Sequence, residues 1–176
     1  MKILEVFFDY ACPFCLRAHE LLDELISSYP QVEIKWRPCE AHPRPEAYGF
    51  HSDLCIQGMY FAVEHGMDLA AYHDRMYRAA LVDKIDIEDI ETLSDYVSDL
   101  LDRDTDAFSN ALREGLYAEI QKNGNDYAYE RSGVWAVPAY RMDGERLDAV
   151  ENIGVTKEQL KAFLEHSNTN LRINPQ

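Results

Sequence analysis

Phe7-Phe8-Asp9-Tyr10-Ala11-Cys12-Pro13-Phe14-Cys15 is the stretch on which the reading of this chain turns. Before it, residues 3 to 10 are rich in apolar and aromatic side chains and read as a largely buried strand. After it, Cys15, Ala18, Leu22, Leu25, Ile26 and Tyr29 fall on one helical stripe, with Arg17, Glu20, Asp23 and Glu24 off it and Pro30 just beyond. Pro13 suits the first helical position, where a missing N–H costs nothing, so Cys12 is expected at the N-cap. The free amides and positive dipole end of the helix then favour thiolate at Cys12. Cys15, one turn on, shares the face and is placed to resolve a mixed disulfide formed at Cys12.

Composition narrows the setting. The chain has 176 residues, 32 acidic against 17 basic side chains, a formal charge of -15 and 47% apolar residues. That length suits one domain, or one domain with a large insertion, and the apolar fraction excludes a disordered acidic chain. No apolar run approaches the roughly 20 residues of a membrane span. The acidic balance opposes binding to a phosphate backbone, so no nucleic-acid partner is expected. The first nine residues meet a charge early and lack a small-residue cleavage site, so no secretory signal is read there and a cytoplasmic location is expected. The cysteines Cys12, Cys15, Cys39 and Cys55 make neither a disulfide scaffold nor paired zinc clusters, and the six histidines show no ligand spacing; no metal is expected.

A second segment lies about 120 residues on: Ser132-Gly133-Val134-Trp135-Ala136-Val137-Pro138-Ala139-Tyr140. Together with the residues around Cys12 it resembles the DsbA-like branch of the thioredoxin superfamily, which includes FrnE-type oxidoreductases. The first motif is similar to that branch's strand and Cys-x-x-Cys, the second to its Gly-Val-x-x-Val-Pro-x-aromatic signature. The resemblance covers residues 1 to about 166. It implies an α/β thioredoxin-like fold with an all-helical insertion between the second strand and the proline loop. It also implies that Pro138 is cis and faces the active-site thiols. A cis Val137–Pro138 bond would offer the backbone of Val137 to an extended substrate, with Pro13 and Phe14 beside it; the alternative is an ordinary proline opening a strand.

The remaining elements agree with a split fold. Residues 32–38 alternate as a strand closed by Pro38, and Asp143-Gly144 marks a hairpin turn. Thr156-Lys157-Glu158-Gln159 has capping-box spacing ahead of Leu160, Phe163 and Leu164. Residues 1–40 and 134–166 are thus assigned to a thioredoxin-like domain, 41–133 to a helical insertion and 167–176 to a polar tail. Within the insertion Cys55, Met59, Ala62 and Val63 form one apolar stripe. Asp68, Asp86 and Thr105 are expected to cap three further helices, while Asn123-Gly124-Asn125 reads as a break.

Several residues leave alternatives open. Asp9 either tunes the nucleophile, raising its pKa by charge, or caps a backbone N–H at the strand end. Glu5 is a candidate proton relay to Cys15. Cys39 and Cys55 read as inert, Cys55 on a buried helical stripe, and His19 as a surface residue. Between Asp83 and Asp106 ten carboxylates face only Lys84 and Arg103, a solvated acidic face.

The expected activity is that of a thiol–disulfide oxidoreductase acting on protein or small-thiol substrates, with Cys12 as nucleophile and Cys15 as resolving thiol. It needs no cofactor beyond its own redox-active disulfide, with glutathione or a thioredoxin-type protein as electron donor. A reducing compartment would favour reduction or isomerisation over oxidation. The competing readings are a glutathione-dependent isomerase or transferase similar to 2-hydroxychromene-2-carboxylate isomerase, which typically has Ser where Cys12 stands, and a redox-switched binding protein.

Overall fold

A computed structural model of the chain describes residues 1–101 and 104–169. Strand β1 (Lys2–Phe8), helix α1 (Pro13–Ile26) and strand β2 (Val32–Pro38) form a parallel strand–helix–strand unit, with Leu4 opposite Ile34 and Val6 opposite Trp36. Then come α2 (Asp53–Glu64), α3 (Leu69–Tyr77), α4 (Ile90–Tyr96), α5 (Ser98–Leu101), α6 (Thr105–Arg113) and α7 (Ala118–Asp126). Single π-helical turns at Arg78–Val82 and Tyr127–Arg131 follow α3 and α7. The chain returns to the sheet as the hairpin β3 (Ala139–Met142) and β4 (Glu145–Asp148), and α8 (Lys157–Thr169) closes it. Strand order is β2-β1-β3-β4, with β3 antiparallel to β1 and to β4. This is the thioredoxin-like fold with helices interposed between β2 and β3.

Buried side chains form two cores. Leu4 and Val6 pack with Ala18, Leu22 and Leu25 of α1, Leu160 and Leu164 of α8, and Tyr140 and Met142 of β3. Phe7, Phe8 and Tyr10 belong to a second cluster with Ile56, Phe61, Tyr72, Met76, Leu93 and Phe108 of the interposed helices. Each such fully buried apolar side chain contributes about 1.5–3 kcal/mol against exposure. The insertion is therefore packed onto the end of β1 that leads into the Cys12 turn.

Local signals behave as their chemistry demands. Asp143 and Gly144 take positive φ of 53° and 84° at the hairpin. Thr156 and Gln159 close a reciprocal capping box, Thr156 N–H to Gln159 Oε1 at 2.9 Å and Gln159 N–H to Thr156 Oγ1 at 3.2 Å. Asp68 accepts from the amides of Ala70 and Ala71.

Elsewhere the structure corrects the sequence reading. The cap of α4 is Asp89, which accepts from Thr92 N–H; Asp86 instead accepts from Glu88 N–H, one turn earlier. Thr105 is the first residue of α6, with Asp104 at the cap. Val63 lies off its stripe and is 54% exposed. Asn123-Gly124-Asn125 does not break the chain but lies inside α7. There a Cβ on Gly124 would come within 3.0 Å of the Pro38 carbonyl, so the glycine allows α7 to approach β2. Residues 167–169 continue α8 rather than beginning a tail, and residues 170–176 lie outside the described residues. In the acidic stretch, Asp83, Glu88, Glu91 and Asp99 pair with Arg78, Arg44, Arg113 and Arg75; Asp102 and Arg103 lie outside the described residues. Among those described, no helix is long and apolar enough to cross a membrane.

Candidate active site

Cys12 is the N-cap of α1, in extended backbone, with Pro13 opening the helix. The amides of Cys15 and Leu16 donate to the Cys12 carbonyl at 3.0 and 3.2 Å. Its sulfur is half-buried, while Cys15 is 1% exposed. The Cys12 thiol is held below its ordinary pKa, first by a hydrogen bond from the Cys15 thiol, against the opposing cost of burial and with help from the Cys15 and Phe14 amides. Cys15 is pushed well above the ordinary range by burial and by the developing charge on Cys12. The pair shares its protons, and the first to leave comes from Cys12.

Facing Cys12, the Val137–Pro138 peptide is cis and the Val137 carbonyl accepts from Cys12 Sγ at 3.8 Å. Pro138 leads directly into β3, whose Ala139 pairs with Phe7 of β1. One sheet thus carries both the strand feeding Cys12 and the strand presenting Val137, and it fixes their separation.

Asp9 is 1% exposed and fully engaged: Oδ1 accepts from Ala11 N–H at 2.8 Å and Oδ2 from Ala41 N–H at 2.6 Å. It ties the Cys12 turn to the segment after β2. Burial raises its pKa, and its charge also raises that of Cys12. Asp9 therefore plays the structural part open to it, with a smaller electrostatic effect that opposes the thiolate. Glu5 is not a relay to Cys15: its carboxylate is taken by Arg37 at 2.6 Å and the Tyr127 hydroxyl at 2.9 Å.

Cys39 and Cys55 are completely buried, and burial pushes both thiols up, so both stay protonated. All four cysteines are free thiols. Pro13 is exposed and Phe14 half-buried. The Arg17 guanidinium lies 5.6 Å from the Phe14 ring centre and also donates to the Ile153 carbonyl.

Some parts of the site were not assigned from sequence. Gly154 (φ +78°) lets its backbone approach Phe14 so closely that a Cβ would lie 2.9 Å from Phe14 Cδ1. Beside it Ile153 is half-exposed, and Trp135, two residues before Val137, is 66% exposed. Behind Ala41, Glu40 is buried, accepting from Gln121 Nε2 at 2.6 Å and Asn125 Nδ2 at 3.1 Å, while its own N–H donates to Asn125 Oδ1 at 2.9 Å. Burial lifts its pKa to about 7. Hydrogen-bonding side chains from α7, over 80 residues away, could not be placed here by local pattern.

His19 is also corrected. It is buried, with its ring 5.6 Å from Trp36, 5.5 Å from His73 and 5.3 Å from Tyr77. The interposed α3 covers a flank of α1 that would otherwise face water. His73 itself hydrogen-bonds Tyr10 at 2.8 Å, and burial lowers its pKa to about 3, keeping it neutral.

Comparison with known proteins agrees with this architecture. Residues 3–161 match the family model for a DSBA-like thioredoxin domain. The uncharacterized protein YwbO of Bacillus subtilis (strain 168) is 25% identical, over 78% of this chain and 84% of that protein. A probable DsbA oxidoreductase from Streptomyces coelicolor superposes with a TM-score of 0.74 at 16% identity, covering 100% of this chain and 93% of the other. A 2-hydroxychromene-2-carboxylate isomerase superposes with a TM-score of 0.72 at 20% identity, covering 97% and 96%. At these identities the two structures speak to the fold.

Proposed function

The chain belongs to the family of DSBA-like thioredoxin domains, and from that membership we propose that it is a thiol–disulfide oxidoreductase working through Cys12-Pro13-Phe14-Cys15. The observation that carries this reading is the asymmetry of the two thiols. The half-exposed Cys12 is stabilised as thiolate by the buried Cys15, which keeps its proton until needed.

Cys12 thiolate attacks a substrate disulfide, forms a Cys12–substrate disulfide and releases one substrate thiolate, which takes a proton from solvent. Cys15 then loses its proton and attacks Cys12 Sγ. The Cys12–Cys15 disulfide forms and the second substrate thiolate leaves, so the substrate gains the two electrons the protein gives up. Val137 docks the substrate backbone beside Cys12, and Pro13 and Phe14 flank it. Glutathione or a thioredoxin-type donor restores the dithiol. A reducing, cytoplasmic setting sets the net direction as reduction or isomerisation.

The isomerase reading shares the architecture but makes no use of a second thiol, whereas here Cys15 is the largest influence on Cys12. A switched binding protein would need no docking backbone at the nucleophile. The test is equilibration in graded glutathione redox buffers, followed by acid quenching and mass spectrometry, with insulin reduction in parallel. A reversible Cys12–Cys15 disulfide and a mixed disulfide trapped on Cys15→Ala are expected. Absence of that disulfide at every poise would overturn the proposal.

A further inference from the structure

His19, Asp23 and Asp74 bring one imidazole nitrogen and two carboxylate oxygens together at the seam between α1 and α3. His19 Nε2 lies 3.5 Å from Asp23 Oδ2 and 3.4 Å from Asp74 Oδ1, and the three ligand atoms fall within 4.8 Å of one another. The His19 side chain is only 5% exposed, yet neither ring nitrogen has a hydrogen-bond partner. Buried polar atoms are ordinarily paired, so a partnerless ring nitrogen aimed at two carboxylates calls for a ligand. We propose that these three residues bind a divalent transition cation of the zinc class.

Geometry and donor chemistry favour such an ion. Ligands held 2.0–2.1 Å from a tetrahedral ion are about 3.3 Å apart, close to the two nitrogen–oxygen separations observed. One imidazole with two carboxylates suits zinc and its neighbours better than calcium or magnesium, which take oxygen donors. The two carboxylates are solvent-exposed, at 57% and 75%, which leaves an entry path and room for water as a fourth ligand. They neutralise a dication. The site also has a mechanical consequence: Asp23 and His19 are one turn apart on the helix that carries Cys12 and Cys15, while Asp74 comes from the insertion. A bound ion would fasten the insertion to the redox helix.

Thiolates also bind zinc, so the experiment removes them: zinc is titrated calorimetrically into the Cys12→Ser/Cys15→Ser variant, and again into the parent carboxamidomethylated at Cys12. One equivalent should bind in both, and Asp23→Asn and Asp74→Asn, exposed positions that leave the fold intact by circular dichroism, should each weaken it by about tenfold or more. Glu20→Gln, a neighbouring exposed acid, should leave the affinity unchanged. Zinc should raise the thermal midpoint of the thiol-blocked protein, and this rise should disappear with Asp74→Asn. No binding, or equal weakening by all three substitutions, would overturn the assignment.

Discussion

Replacing Glu40 by Gln should change the pH dependence of stability by a calculable amount. The carboxyl is 3% exposed, and burial moves its pKa from 4.5 to about 7. In the unfolded chain it releases its proton near pH 4.5; folded, it holds the proton to about pH 7. Between those values the native state binds more protons, so Glu40 makes stability fall as pH rises, and the loss is complete above pH 7. At 1.36 kcal/mol per unit, the change across the window is about 3 kcal/mol. Two other buried groups complicate the parent's own profile. Asp9 has a raised pKa and acts in the same sense, whereas His73, lowered from 6.5 to about 3, makes stability rise with pH below 6.5. The difference between Glu40→Gln and parent cancels His73 and leaves of Asp9 only its charge coupling to Glu40. Glutamine retains an oxygen for Gln121 and Asn125 and places its amide where Glu40 Oε1 is buried without a partner, a fixed cost of about 1–3 kcal/mol. The measurement is urea unfolding at half-unit steps from pH 4 to 8. The variant-minus-parent free energy should climb by about 3 kcal/mol between pH 4.5 and 7 and then level off. A flat difference would refute the assignment of a buried, proton-retaining Glu40.

Three further outcomes follow from the same contacts. Iodoacetamide should modify Cys12 and spare Cys15, with a rate midpoint below the ordinary thiol pKa; Cys15→Ala should move that midpoint upward, and an unmoved midpoint would contradict the thiol–thiol hydrogen bond. Gly154→Ala should cost about 1–2 kcal/mol from left-handed backbone alone, more once its Cβ meets Phe14, read as a lower urea midpoint at constant slope. Asn125→Ala removes two hydrogen bonds to Glu40, one of them to a buried N–H, and should cost about 2–4 kcal/mol by the same assay.

What was legible in the sequence is what short-range chemistry decides. Proline after Cys12, the Thr156–Gln159 box and the Asp143-Gly144 turn each act within four residues, and each folds as its pattern demands. The helix around Gly124 was not legible, because its glycine answers to the Pro38 carbonyl rather than to its own neighbours. His19 was misplaced for the same reason: the helix that buries it starts 50 residues later. Glu40 carried no signal at all, since its partners Gln121 and Asn125 lie near the far end of the insertion, on α7.

The charge arrangement around Cys12 explains why the nucleophile depends on its partner thiol. Asp9 is needed to fasten the Cys12 turn to Ala41, and any charge it carries opposes the thiolate. Raising the Asp9 pKa by burial reduces that charge without loosening its hold, since a protonated carboxyl still accepts from Ala11 and Ala41. The main influences on the Cys12 pKa include no histidine or lysine to compensate. The stabilisation comes instead from the Cys15 thiol and the first amides of α1, all of which Pro13 and the N-cap geometry aim at one sulfur. Cys15 thus acts twice: as a thiol it donates to the Cys12 thiolate, and after losing its proton it attacks Cys12 Sγ, so one side chain couples readiness for attack to readiness for release.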